Sequence, residues 1–153
     1  MKRIATLSCC ILVSCVAFAS IPHRLRPAPI EAFDMYDNIC WEDEKSRLDN
    51  FAIQLQNQPN VKGYIVVYAG KESCAAEAQT RALRAKKWLL ERRGISAARV
   101  LWKDGGYREN VETKLWIWPE GAGDFPVDPT LLPNAVKVVR VCKGRILRPM
   151  KCK

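Results

Sequence analysis

Residues 64–106 read YIVVYAGKESCAAEAQTRALRAKKWLLERRGISAARVLWKDGG, and the order of patterns in this stretch decides the fold. Tyr64-Ile65-Val66-Val67-Tyr68 is β-branched and aromatic, short and uncharged, which predicts a central strand buried on both faces. Residues 75–93 then predict a helix: Ala78, Ala82, Ala85 and Leu89 fall on one face, where small side chains allow close packing on a sheet. Arg81, Arg84, Lys86, Lys87, Arg92 and Arg93 cover the rest. Gly94 is a natural C-cap, and the Arg92-Arg93 pair suits the negative end of the helix dipole. A second strand opens at Arg99, and Asp104-Gly105-Gly106 predicts a turn into an antiparallel partner over residues 111–118.

The flanks extend this pattern. Upstream, Glu42-Asp43-Glu44 places carboxylates where the dipole of a starting helix favours them. Leu48, Phe51, Ala52 and Leu55 form its apolar stripe, and Pro59 ends it. Residues 33–38 supply a short first strand. Downstream, Val111, Thr113, Leu115 and Ile117 alternate with Glu112, Lys114, Trp116 and Trp118, and two tryptophans on the more polar face imply that something covers them. Residues 119–133, with Gly121, Gly123, Pro126 and Pro129, form an irregular connection. Residues 135–142 then predict one more strand, whose Lys137 and Arg140 suit an edge. The expected fold is α/β, an α+β sandwich in the order β-α-β-α-β-β with two helices on a mixed sheet, plus this C-terminal strand.

The strand, the basic helix with Arg84-Ala85, the Gly94-Ile95 stop and the basic residue at Arg99 together resemble the core of the OmpA C-terminal-like domain (the OmpA/MotB/Pal-type family) over roughly residues 42–118. The resemblance implies a cell-envelope protein that contacts peptidoglycan. The family holds diaminopimelate with an acid after the second strand and an arginine in the second helix. An arginine fork matches a carboxylate bidentately, and the acid takes the ammonium. This chain departs from the pattern. No carboxylate stands at Tyr68-Ala69-Gly70, Glu72 is the nearest, and Glu77 occupies the family's Asn position. The resemblance thus makes Arg84, Tyr68, Glu72 and Glu77 the candidate ligand-binding residues of a member lacking the usual acid. The competing reading is that Glu77, Arg81 and Arg84, one helix face apart by i, i+4 and i+7, only pair with surface carboxylates.

The ends of the chain say where it goes. Residues 1–19 have Lys2-Arg3, an apolar stretch and Ala17-Phe18-Ala19, the three parts of a secretory signal. Leu12-Val13-Ser14-Cys15 also resembles a lipobox, in which Cys15 is acylated. Residues 20–32 read as a Pro-rich linker, 33–118 as the OmpA-like domain and 119–153 as a connection and basic tail. The expected location is the periplasm or outer membrane. The formal charge is +9, yet residues 20–134 balance 16 basic against 16 acidic side chains. The excess lies in the signal and in Lys137, Arg140, Lys143, Arg145, Arg148, Lys151 and Lys153. Such a tail suits an anionic membrane surface or a protein partner, or simply protects an edge strand; nucleic acid is not an expected partner.

Cys40, Cys74, Cys142 and Cys152 make an even set, which in an exported chain favours disulfides worth about 2–4 kcal/mol each. The ends of the first two strands of a parallel unit share a sheet edge, which predicts Cys40 with Cys74 and leaves Cys142 with Cys152, among three possible connectivities. No metal site is expected, since there is no C-x-x-C and the sole histidine, His23, sits among linker prolines. The same histidine count leaves a catalytic triad without its base, and Asp104 to Glu109 reads as a charged turn. Neither an enzyme nor a cofactor is expected.

Overall fold

A computed structural model describes residues 30–123, 125–139 and 151–152. The signal segment, Cys15, His23, most of the linker, Cys142 and most of the basic tail lie outside the described residues. The elements run β1 (Asp34–Tyr36), α1 (Trp41–Asn57), β2 (Val61–Ala69), β3 (Glu72–Cys74), α2 (Glu77–Arg93), β4 (Val100–Tyr107), β5 (Glu112–Pro119) and β6 (Lys137–Val139). Two helices pack on a mixed four-stranded sheet of order β1-β5-β2-β4, an α+β fold. Among the described residues no helix is long and apolar enough to cross a membrane.

Hydrophobic alternation along β2 creates two layers. Ile65, Val67 and Ala69 point to the helices, where they meet Leu48, Phe51 and Leu55 of α1 and Ala78, Ala82, Ala85 and Leu89 of α2. Val66 and Tyr68 point to the other side, where they meet Trp118 and Phe125. Residues 65–68 are fully buried, as the uncharged run predicts. The cover that the tryptophans of β5 require is the connection after β5: Phe125 stacks on Tyr64 with ring centroids 4.7 Å apart and meets Trp116 and Trp118 edge-on at 5.1 and 4.9 Å. Lys103 Nζ donates to the Phe125 carbonyl at 2.9 Å and Trp118 Nε1 to that of Gly123 at 3.2 Å, which fixes the segment to the sheet.

Helix ends follow elementary rules with one long-range exception. Gly94 ends α2 in the left-handed conformation (φ 66°), and the Ile95 N–H returns to the Leu89 carbonyl at 3.1 Å. Helix α1 has no basic residue in its last turn. Arg99 supplies the charge from afar, donating to the Leu55, Gln58 and Val61 carbonyls at 2.7, 2.6 and 3.1 Å.

Three expectations need correction. Gly105 and Gly106 do not make a hairpin turn: β4 continues through them and pairs parallel with β2, while β5 pairs antiparallel with β1 and β2. Gly105 is needed because Tyr68 lies against it; a Cβ there would stand 2.5 Å from the ring. The last strand, β6, joins β3 in a separate two-stranded parallel sheet rather than the main one. Finally, Cys40 bonds Cys152, with Cα atoms 5.1 Å apart, so neither predicted disulfide forms. The prediction placed Cys40 beside Cys74 at one sheet edge, but β5 lies between β1 and β2 and holds their ends about two strand spacings, or roughly 10 Å, apart. Cys74 is also disulfide-bonded.

Replacing Phe125 with alanine removes the centre of the second layer and is expected to cost about 3–5 kcal/mol, whereas Gly105→Ala, which forces Tyr68 aside, costs about 1–3 kcal/mol. Urea unfolding at constant disulfide status measures both. An unchanged midpoint for Phe125→Ala would mean that the connection contributes nothing to folding.

Candidate functional site: a charged crevice at the strand ends

β1, β2 and β4 run in the same direction, so their carboxyl ends open on one edge of the domain. In open α/β sheets ligands bind outside that edge, because the loops diverge there and leave a gap. Here the gap is a crevice of 660 Å³. Asp37 and Asn38 line it after β1, Gly70, Lys71 and Glu72 after β2, and Glu109, Asn110 and Val111 after β4. Lys71 Nζ lies 3.3 Å from Glu109, its backbone N–H donates to the Glu109 carbonyl at 3.2 Å, and its own carbonyl accepts from Lys137 at 2.9 Å. These bonds hold the β2 loop against the β4 loop and against β6. Arg81 of α2 holds the β1 loop from behind, donating to Asn38 at 3.0 Å and to Glu77 at 3.0 Å.

The residues singled out from the sequence do not converge. Glu72 lines the crevice. Glu77 does not: it is buried and accepts from the Cys74 N–H at 3.2 Å and from Arg81, so it closes the turn into α2. Tyr68 lies on the opposite face of the sheet, its phenol bonded to Asp128. Burial and that hydrogen bond push its pKa up to about 12.

Arg84 finds a carboxylate within the chain. Its guanidinium meets Glu44 of α1 at 2.5 Å, with the two side chains only 18% and 4% exposed, and lies 4.8 Å over the ring of Trp41. Tyr36 donates to the same carboxylate at 3.4 Å. Burial raises the Glu44 pKa above the ordinary glutamate value in spite of the arginine's charge, and burial with the Glu44 charge raises that of Tyr36. This pair fastens α1 to α2. A second fastening follows one turn along, where Asp49 accepts from Trp88 Nε1 at 2.8 Å and from Arg93.

One group of sulfur and carboxylate ligands, Cys40, Asp43 and Cys152, comes together among the described residues, but both sulfurs are spent in the disulfide. It therefore offers a metal a single carboxylate. Lys71 lies in the loop from Tyr68 to Cys74 that the sequence marks beside Arg84 for the glycan contact, whereas Asp37, Asn38, Glu109 and Asn110 are not marked by the sequence. Asp37 and Asn38 end the predicted first strand, and Glu109 and Asn110 precede the predicted strand over residues 111–118, so their place at strand ends is the signal that the sequence carries. Comparison with known families, characterised proteins and solved structures gives no significant match.

Arg84→Ala leaves Glu44 buried without its partner and is expected to destabilise the domain by about 3 kcal/mol at pH 7. The sign with pH follows from the raised pKa. Between the ordinary glutamate value and the raised one, the folded state binds more protons than the unfolded state, so stability falls as pH rises through that window. The penalty of Arg84→Ala should therefore shrink on acidification, and Glu44→Gln in the same chain should recover most of it. Thermal unfolding from pH 4 to 8 reads this directly; a penalty independent of pH would show that the two groups are not coupled.

Proposed function

We propose that the chain is a non-catalytic binding domain of the cell envelope whose crevice at the strand ends takes a zwitterionic element of peptidoglycan. The observation that carries this reading is the mixed charge of the crevice: Asp37, Glu72 and Glu109 offer acceptors for an ammonium, and Lys71, which lies 3.3 Å from Glu109, offers with the Asn38 and Asn110 amides donors for a carboxylate. Groups of both signs around one gap suit a ligand carrying both signs. The secretory pattern of residues 1–19 and the resemblance to the OmpA C-terminal-like family support the same reading. In this assignment Arg84 is a structural residue, and the charge pair moves from helix and strand to the loops.

Co-sedimentation of the mature chain with purified diaminopimelate-type sacculi tests the proposal. Pelleting is expected for the wild type and should fall about tenfold, or about 1.4 kcal/mol, in Lys71→Ala and in Glu72→Gln. It should persist when Arg145 and Arg148 of the tail are changed to glutamine. Retention of wild-type protein in the supernatant would sink the peptidoglycan reading, and loss only on tail neutralisation would transfer the function to an anionic surface.

A further inference from the structure

On the face of the sheet away from the helices, and independent of the crevice, the geometry points to a carboxylate-binding socket formed by Tyr68, Arg108 and Lys114, which Asp128 of the same chain occupies in competition with an external carboxylate. The acceptor is far more exposed than the groups that hold it. The Asp128 side chain is 64% exposed, whereas Arg108 and Lys114 are 15% and 12% exposed. An exposed aspartate in an irregular segment ordinarily bonds water. Here it takes a guanidinium contact from Arg108 at 2.6 Å, an ammonium contact from Lys114 at 3.2 Å and the Tyr68 phenol.

The socket is built by the sheet and does not depend on Asp128 for its shape. Tyr68 is fully buried in β2 and lies against Gly105 of β4. Arg108 stacks 4.2 Å over its ring and Lys114 lies 5.5 Å from it, so the ring backs both cations. Glu112 holds Arg108 from the far side, with both carboxylate oxygens 3.0 Å from one guanidinium nitrogen. The remaining amino group of Arg108 faces Asp128, where it also donates to the Asp128 carbonyl at 2.9 Å.

Charge decides which ligand fits. Two cations and Glu112 leave the socket with one net positive charge, and a single monovalent anion neutralises it. Oδ2 of the Asp128 carboxylate meets both Arg108 and Lys114, while Oδ1 accepts the hydrogen bond of the Tyr68 phenol and lies 3.4 Å from Lys114, an arrangement of three donors for one acceptor group. Partial burial opposes ionisation of Asp128, and the bonds from Tyr68, Lys114 and Arg108 outweigh that cost and hold its carboxyl below the usual range. The socket therefore prefers the charged form of whatever carboxylate it holds. A terminal carboxylate of a peptide and the carboxylate of a uronic acid share this chemistry.

Asp128→Ala vacates the socket without touching its walls. Titration calorimetry of the full mature chain with N-acetylalanine and, separately, with glucuronate is expected to show at least tenfold tighter binding to Asp128→Ala than to wild type, with the gain lost on adding Arg108→Gln. Preference for the first probe would identify a peptide terminus as the source, and preference for the second a uronic acid. Equal affinity of wild type and Asp128→Ala, or a gain that survives Arg108→Gln, would overturn the assignment. Should Asp128→Ala fail to fold, NMR titration of the wild type with each probe keeps the test open. Saturable shifts of the Tyr68 ring and Lys114 Nζ resonances are expected, and their absence at high carboxylate concentration, against a chloride control, would overturn it equally.

Discussion

Burial of β2 on both of its faces is the constraint on which everything else depends. A strand whose residues 65–68 are inaccessible needs a layer on each side, and the chain builds the two by different means. Helices α1 and α2 make one, with small alanines of α2 against the sheet. The other is made by an irregular segment that contributes one large ring, Phe125, to a cluster of Tyr64, Trp116 and Trp118. Irregular backbone covers apolar surface poorly, because its own polar groups need partners. Here sheet side chains supply some of them: Lys103, Arg108 and Trp118 each donate to a carbonyl of the segment.

The same division separates the charged clusters. Glu44 with Arg84 and Asp49 with Arg93 join helix to helix on one side. Arg108, Glu112, Lys114 and Asp128 join sheet to segment on the other. The crevice lies at neither face but at the edge, where loops after three strands bring Asp37, Lys71, Glu72 and Glu109 together without burying them in a core. Glu44, Arg84, Arg108, Glu112 and Lys114, which fasten layers, are largely shielded, whereas Lys71 and Glu109 at the edge are more than half exposed. This contrast, more than the identity of any one residue, makes the edge the better place for a ligand.

Most of the fold was legible in the sequence because local periodicity controls it. The stripes Leu48-Phe51-Ala52-Leu55 and Ala78-Ala82-Ala85-Leu89, the alternation of β5, the uncharged run of β2 and the Gly94 stop each act within one element. What was not legible depends on partners distant in sequence. A Gly-Gly pair after an aspartate has the composition of a turn, and only the Tyr68 ring across the sheet explains why Gly105 is glycine. Glu44 reads as one of three first-turn carboxylates until α2 buries it under Arg84. Phe125 and Asp128 lie in a stretch with no period to mark them. The disulfide was misread for the same reason: sequence indicates which strands run alike, but not that β5 is inserted between β1 and β2.

The bridge from Cys40 to Cys152 spans 112 residues and closes α1 through β6 into a single covalent ring. Entropy of the unfolded chain is the familiar consequence, but load-sharing is another. A pull applied between the leading segment and the C-terminus passes through Cys40 directly into Cys152 and leaves the ring slack. Among the described elements only β1 precedes Cys40, and it lies in the path of the force together with Asp37 and Asn38. Three residue pairs hold β1 to β5, so tension on a tethered copy would strip this edge strand, and with it the Asp37–Asn38 wall of the crevice, while the helices and the aromatic layer carry none of it.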